Sequence, residues 1–261
     1  LFEVALCVFL YLTVLFIEWT PAAFEWLGLK KIRALVVRLT LVLTIFGVVL
    51  STLHQSSLGA LFMIAPSKLH PLWYSGYLPV YFFISSMFAG LSMVIFEGTL
   101  AHRWLHHKMD DTHLSESAGV AFGFGKAAAF IMMGYAAIKV IGLAVDNHWH
   151  YLATGWGAWY LLEVVGFVIF PAILFSMGAR EKNLVFIRTA AVWTVLGIVL
   201  NRLNVSLIAF NWHLPAEDRY FPSLPEVGTT VFIVTLGVVV YRFIATRMPI
   251  LHEHKDYKEA H

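Results

Sequence analysis

Apolar residues are concentrated in seven long runs, and shorter polar stretches separate each run from the next. A membrane-spanning helix needs about 20 mostly apolar residues, which these runs supply. We therefore predict an all-α fold, a polytopic bundle of seven transmembrane helices over residues 1–249, with a short charged tail at 250–261. The predicted spans are approximately 1–19, 35–53, 78–97, 119–145, 157–178, 186–209 and 227–246.

The composition excludes a soluble globular enzyme. Of the 261 residues, 59% are hydrophobic and 13% are charged, whereas a soluble domain carries about 25% charged residues. The single cysteine, Cys7, excludes a cysteine-ligated iron–sulfur cluster, a CxxCH haem attachment and an internal disulfide. We expect the lipid bilayer, and no nucleic acid, as a partner. Because the chain opens with Leu1 inside an apolar run, without a signal-peptide pattern, we expect further residues upstream.

Basic residues predict the orientation of the spans, because positively charged loops stay on the cytoplasmic side. The connections between spans alternate between the two membrane faces. One set of alternate connections holds two basic residues, Lys68 and Arg219, whereas the other set, together with the chain end, holds most of the other basic residues. We therefore predict outer-face loops at 54–77, 146–156 and 210–226 and a cytoplasmic C-terminus. In the inner membrane of a diderm bacterium, the outer face is periplasmic. The predicted cytoplasmic residues are Lys30, Lys31, Arg33, Arg38, Arg103, Lys108, Arg180, Lys182, Arg188, Arg242, Arg247, Lys255 and Lys258.

Three charged residues lie deep within the predicted spans, namely Lys139, Glu163 and Arg202, whereas Lys126 lies near a cytoplasmic helix end and can snorkel. A central charge costs at least about 2.5–3.5 kcal/mol on insertion scales, and such residues usually face the bundle interior and pair. We therefore predict a contact between Glu163 and Arg202, with Lys139 nearby. The group is either a structural ion pair or part of a polar pocket or proton-transfer route. Glu97, at a predicted cytoplasmic helix end, is a further proton-transfer candidate or a snorkelling carboxylate.

Polar residues also gather at the predicted outer face, where they suit a quinone headgroup. Such a site needs apolar walls with a few polar groups, and quinone reduction needs a proton donor within reach. His54 is the sharpest candidate because imidazole exchanges protons near neutral pH; the alternative is an interfacial histidine that caps a helix. The other polar residues at this face are Glu3, Gln55, Ser56, Ser57, Asp146, His148, Asn201, Asn204 and Asn211.

Two histidine-containing segments have spacings that metal sites also show. The segment 146–150 fits a metal site, a proton entrance or, as we favour, a solvated loop. The second segment is a group of histidines near the predicted cytoplasmic face, which we call the cytoplasmic cluster. No cysteine or well-placed carboxylate completes a metal site there, so we favour a solvated loop there too. An electron-transfer haem b needs two histidines at matching depth, which the spans do not offer, so we predict no haem. The cytoplasmic cluster consists of His102, His106, His107 and His113.

The segment TLHQSSLGALFMIAPSKLHPLWYS at 52–75 is the most specific part of a resemblance that covers nearly the whole chain. The chain resembles the HybB branch of the NrfD/PsrC family of quinone-interacting respiratory membrane subunits. The further matching segments are LFEVALCVFLYLTVLFIEW at 1–19, MVIFEG at 93–98, WYLLEVVGFVIFP at 159–171, RLNVSLIAFN at 202–211 and YFPSLPE at 220–226.

The resemblance implies a ten-span protein that contains four-helix bundles, of which this chain would be the C-terminal part. It also implies that a periplasmic ferredoxin-like iron–sulfur subunit carries electrons from catalytic oxidoreductase subunits, of the [NiFe] hydrogenase type, to menaquinone or ubiquinone, without a haem in this chain. On this view His54 and Glu3 act on the headgroup or its protons. Gln55, Ser56, Arg202 and Asn204 would shape the site.

Several functions remain open at this stage. A related complex fed by a multihaem cytochrome or a molybdopterin enzyme fits the same resemblance. A proton or ion translocator would use Glu97, Lys139, Glu163 and Arg202 as a relay, and a continuous polar path across the membrane would favour it. A structural anchor would instead show an outer pocket filled by side chains. In each case the subunit is not expected to catalyse a reaction alone.

Overall fold

A computed structural model of the chain describes residues 2–105 and 111–247. Within these residues, seven helices are long and apolar enough to cross a membrane, which confirms the predicted seven-span, all-α fold. The helices are α1 (Phe2–Trp26), α2 (Lys30–Phe62), α3 (Leu78–Leu105), α4 (Asp111–Val145), α5 (Gly155–Leu161), α6 (Phe170–Glu181), α7 (Leu184–Leu203) and α8 (Leu224–Arg247). A π-helical segment, Leu162–Ile169, joins α5 to α6 in one span, and a second, Asn204–Ile208, extends α7.

The connection between α1 and α2 is much shorter than the hydropathy pattern predicts. Helix α1 continues through Pro21 to Trp26, and Gly28 turns the chain with a φ of 75°. Proline is tolerated in membrane helices when neighbouring groups satisfy the freed backbone carbonyl. Lys30 therefore begins α2 instead of lying in a loop, and the expected fifteen-residue basic connection between 20 and 34 reduces to one turn.

Helix α2 also ends later than predicted, at Phe62, so the expected outer-face loop at 54–77 is wrong over residues 54–62. Leu58 and Phe62, one helical turn apart, pack against the buried core. Gly59 lies so close to α3 that an added Cβ would come within 2.7 Å of the carbonyl oxygen of Leu78. Small residues allow this approach between helices, so packing against α3 keeps the polar segment helical.

The described residues form two compact units, one of residues 2–51 and 220–247 and one of residues 52–105 and 111–219. In the second unit, α3 packs against α4 and α7, and the 155–181 span packs against the same two helices. This cyclic arrangement is a four-helix bundle, as the resemblance implies. Its core contains Phe88, Met132, Phe175 and Ile187, all at most 1% exposed.

The first unit holds α1, most of α2 and α8. Its polar contacts link the first two helices: the Thr44 hydroxyl donates to Glu18 at 2.6 Å, and Arg33 pairs with Glu25 at 3.0 Å. Most of its apolar side chains are exposed. The buried candidate residues of the chain therefore lie in the second unit, which is described next.

Candidate functional site: a buried carboxylate in the four-helix bundle

Two departures from α-helical geometry position the polar residues of the bundle. The N–H of Phe170 donates to the carbonyl of Val165, and the N–H of Ala209 donates to the carbonyl of Asn204, each five residues earlier. Such π-helical turns occur frequently at functional sites. The first segment contains Glu163 and the second begins at Asn204, and both side chains point into the bundle interior, where they are 3% and 0% exposed.

The Glu163 carboxylate accepts three hydrogen bonds from neutral donors. Trp73 donates its indole N–H at 2.8 Å, Asn201 donates from its amide at 2.7 Å, and Asn204 donates from its amide. The Oδ1 of Asn204 accepts in turn from the indole of Trp159 at 3.0 Å. Because a buried carboxylate requires such donors, this shell holds Glu163 in one position.

Arg202 lies beside this shell and is only half-buried. Its guanidinium donates to Asn201 Oδ1 at 2.7 Å, to Ser85 Oγ at 2.9 Å and to Gln55 Oε1 at 3.3 Å. The centre of the guanidinium stacks 3.9 Å from the ring centroid of Phe82. Helices α2, α3 and α7 therefore all contribute to fixing this cation.

Glu163 and Arg202, which the sequence predicts to be in contact, are linked through a third side chain and do not touch directly. No ion pair within 4.0 Å joins these two described side chains; the amide of Asn201 bridges them, accepting from Arg202 and donating to Glu163. Lys139 is nearby, as predicted, and is 4% exposed. An amide bridge relays the electrostatic interaction while sparing Arg202 the desolvation that a direct buried pair costs.

Lys139 lies among three tyrosine rings. Its Nζ is 4.6, 5.7 and 5.4 Å from the ring centroids of Tyr81, Tyr135 and Tyr160. It also forms one wall of a small cleft that has room for about one water molecule. The polar groups that line this cleft with Lys139 are Ser75, Tyr74, Tyr81, Asp146, His148 and Tyr160.

His70 is a buried residue that the sequence reasoning passed over in favour of His54. It is 1% exposed, its backbone N–H donates to the carbonyl of Ala209, and its Nδ1 accepts from the N–H of Leu72 at 3.2 Å. Burial, and to a smaller extent the charge of His148, lowers the pKa of His70 to about 4. The enclosing rings are Trp73, Tyr151, Trp156 and Trp212. Its position next to Trp73, in KLHPLW, was the available signal.

We expect the His70→Asn variant to lose pH dependence of stability between pH 6.5 and about 4. In the native protein His70 stays neutral over this window while the unfolded chain takes up a proton, so stability falls as the pH falls. The loss at pH 4 amounts to about 3 kcal/mol. Asparagine keeps an acceptor near the Leu72 N–H but does not titrate. Thermal unfolding of the native protein and of His70→Asn at pH 7.5 and pH 5 measures the difference. His213→Asn, at an exposed histidine, is the control. If the unfolding temperatures of the native protein and of His70→Asn fall by the same amount between the two pH values, the prediction is contradicted.

The other predicted site residues are distributed as follows. His54, Gln55 and Ser56 are half-buried near the end of α2, while Glu97 is exposed on α3. The side chains of Glu3 and His113, and the residues His106 and His107, lie outside what the structure describes. Within the described ranges, no group of three or more His, Cys, Asp or Glu side chains could hold a metal ion.

The segments that carried the resemblance meet in this site: Gln55 and Trp73 come from the first, Trp159 and Glu163 from another, and Arg202 from a third. The family described as polysulphide reductase, NrfD, matches residues 1–210. The chain belongs to the NrfD family. It is accordingly a multi-pass membrane subunit, which confirms both the recognition and the membrane assignment.

Three curated relatives of this NrfD-family chain match over nearly its full length. A protein of Nitratidesulfovibrio vulgaris, named without a function, is 70% identical over 100% of the chain and 67% of its own length. The probable Ni/Fe-hydrogenase 2 b-type cytochrome subunit of Escherichia coli K12 is 28% identical over 96% of the chain and 63% of its own length. The integral membrane subunit of menaquinone reductase from N. vulgaris is 25% identical over 97% of the chain and 65% of its own length.

The chain therefore spans about two thirds of the length of these relatives. No solved structure matches it.

Proposed function

We propose that this NrfD-family chain is the quinone-reactive membrane subunit of a respiratory oxidoreductase and is not catalytic alone. The names of two relatives, a hydrogenase subunit and a menaquinone reductase subunit, support this. The observation that carries the proposal is the hydrogen-bond path from buried Glu163 through Asn201 to half-buried Arg202. It joins a proton-exchanging carboxylate to a donor for a carbonyl oxygen, and quinone reduction requires both.

The substrate in this proposal is menaquinone or ubiquinone, with one carbonyl facing Arg202. A guanidinium has five N–H groups, and the Nε–H and one Nη1–H of Arg202 have no acceptor among the described residues. Gln55, with its neighbours His54 and Ser56 on α2, would complete the headgroup site, and Glu3 retains the role that the resemblance implies. Asn204, whose oxygen and nitrogen are both bonded, would hold Glu163 in place.

Protons would pass through Glu163, with Lys139 as its charged neighbour. The charges of Glu163 and Arg202 both act on Lys139, so a change of protonation at one group is felt by the others. Glu97 is exposed on α3, which favours its alternative role as a snorkelling carboxylate. The proton-transfer set would thus be concentrated at one end of the bundle.

We propose a periplasmic ferredoxin-like iron–sulfur subunit as the electron partner, together with hydrogenase-type catalytic subunits. A multihaem cytochrome or a molybdopterin enzyme is the alternative donor, and copurified chains distinguish them. The protein would lie in the bacterial inner membrane, with its C-terminus in the cytoplasm, as the basic residues indicate.

The E. coli relative is named as a b-type cytochrome subunit, so we tested whether the described spans could ligate a haem. Two histidines of these spans are His54, eight residues before the end of α2, and His102, 24 residues after the start of α3. At 1.5 Å per residue they lie roughly 12 and 36 Å from the same end of the bundle. Axial ligands of one haem need matching depth, so these residues do not fit, and no step of the proposal runs through a haem.

Quinone binding tests the proposal directly. The full-length protein in lipid nanodiscs is titrated with a fluorescent quinone-site inhibitor of the hydroxyquinoline N-oxide class. We expect saturable quenching that menaquinone or ubiquinone displaces, and cryo-EM density for the inhibitor beside Arg202. Quenching that does not saturate, or inhibitor density only outside the bundle described here, would overturn the proposed site.

A further inference from the structure

The Lys139 ammonium lacks a hydrogen-bond acceptor among the described residues; its contacts are the rings of Tyr81, Tyr135 and Tyr160. An ammonium carries three N–H donors, and leaving them unsatisfied in a 4% exposed position is unfavourable. Aromatic faces stabilise the charge but do not accept hydrogen bonds as oxygen does. Water in the cleft that Lys139 lines can supply an acceptor.

The walls of this cleft suit water. Asp146, Ser75 and the hydroxyl-bearing Tyr160 line it together with Lys139, so a water molecule finds the two or more polar partners that it needs. Asp146 and His148 belong to the loop after α4, and the 63–77 and 209–219 loops lie beside it, because His70 contacts both Tyr151 and Trp212. We call this end of the bundle the loop end.

Toward the opposite end, the bundle core is filled by apolar side chains. Phe88, Met132, Phe175 and Ile187 are 0–1% exposed. The hydroxyl of Thr194, one of the few polar groups at this level, donates to the sulfur of Met132 at 3.9 Å. A thioether is a weak acceptor, and among the described residues it is the acceptor that this hydroxyl finds. Ser92 Oγ, also buried, has no partner among the described residues.

We propose that the cleft is a one-sided proton port, through which Glu163 exchanges protons with water at the loop end only. The Lys139 ammonium passes a proton through an intervening water to a Glu163 oxygen, and the resulting amine takes up a proton that arrives through cleft water and returns to the ammonium. The reverse order releases a proton. The groups that face Lys139 are Tyr81, Tyr135, Tyr160, Glu163 and Arg202, with Asp146 and His148 at the mouth.

The port extends the proposed function because it names the membrane side from which the protons for quinone reduction come. This part of the inference rests on the proposed role of Glu163. The water access itself does not depend on a quinone. A closed core below Glu163 also argues against a transmembrane proton relay within this bundle. Phe88 and Met132 fill the core between Glu163 and the opposite end of the bundle. This apolar layer would distinguish a one-sided proton port from a proton relay across the membrane.

Cysteine accessibility tests the port without using activity. Cys7 is the single cysteine of these 261 residues. Ser75→Cys and Ser92→Cys are therefore introduced one at a time into a full-length background in which Cys7, and any cysteine outside these residues, is replaced by serine. Ser75 lines the cleft and Ser92 lies in the core, and both serines are at most 6% exposed. Sealed vesicles of known orientation are treated with a small, membrane-impermeant methanethiosulfonate, and labelling is measured by mass spectrometry.

We expect Ser75→Cys to react from the loop side at least tenfold faster than Ser92→Cys from either side. Reaction of Ser75→Cys from the opposite side, comparable reaction of Ser92→Cys, or no reaction of Ser75→Cys would overturn the port. If Ser75→Cys does not fold, Tyr74→Cys, another cleft position, replaces it with the same expectation.

Proton sidedness provides the second measurement. In vesicles that contain the intact complex, we expect the pH profile of quinone turnover to follow the pH at the loop side. Lys139→Met should lower the rate at least tenfold and flatten this profile, while Lys139→Arg restores it partly. A profile that follows the opposite side overturns the port even if turnover is normal. If the quinone-site inhibitor does not bind but Ser75→Cys is still labelled from the loop side, the proposed function is overturned and the port is not.

Discussion

Replacing Glu163 by glutamine should lower quinone-dependent electron transfer by about 100-fold or more, the range expected for loss of a group that transfers protons. The glutamine amide keeps one acceptor oxygen but turns an NH₂ group toward donors. Trp73, Asn201 and Asn204 all donate to the native carboxylate, so at least one of them would lose its acceptor. We therefore also expect a loss of stability of about 1–3 kcal/mol.

The measurement is the rate of quinone reduction by membranes that contain the intact complex, normalised to the amount of subunit. Glu181→Gln is the matched control, because the Glu181 side chain is 44% exposed at the end of α6. If Glu163→Gln accumulates poorly, Trp73→Phe removes a single donor to the carboxylate and should give a smaller decrease. A rate for a well-folded Glu163→Gln protein within about threefold of the native rate would remove Glu163 from the proton path.

The sequence predicts the spans because hydropathy reports an average over about 20 residues. It predicts less well where a helix ends, since packing extends a helix through polar residues. His54 illustrates this: the sequence predicts that it begins a polar loop, but Gly59 brings the same segment against α3 and the helix continues to Phe62.

The charged members of the candidate site were predicted, and the neutral Gln55, Asn201 and Asn204 were expected at the outer face, but their contacts with Glu163 and Arg202, and the part of Trp73, were not. Lys139, Glu163 and Arg202 stand out because charges within spans are costly. Their actual partners, Trp73 and Asn201, are neutral, and Trp73 lies 90 residues before Glu163. Neither the π-helical turns nor the hydrogen bonds across such separations leave a pattern in a single sequence. The sequence therefore predicts a direct ion pair between Glu163 and Arg202, whereas the amide of Asn201 bridges the two side chains in the structure.

Arg202→Lys should weaken binding of the quinone-site inhibitor by about 10- to 100-fold although it preserves the positive charge. A lysine ammonium is a compact point charge without the planar fork of arginine. It cannot stack on Phe82 while reaching Asn201, Ser85 and Gln55 together. Loss of one charge-assisted hydrogen bond, about 1.5–3 kcal/mol, corresponds to the expected change in affinity.

Arg180→Lys provides the control for this measurement, because the Arg180 side chain is 80% exposed. Fluorescence titration of the three proteins in nanodiscs gives the dissociation constants, and thermal unfolding shows whether each is folded. Equal inhibitor affinity for Arg202→Lys and the native protein would mean that a positive charge alone satisfies the site. Weakened binding without loss of folding would instead assign recognition of a carbonyl oxygen to the guanidinium, because Glu163 and its three donors are unchanged in this variant.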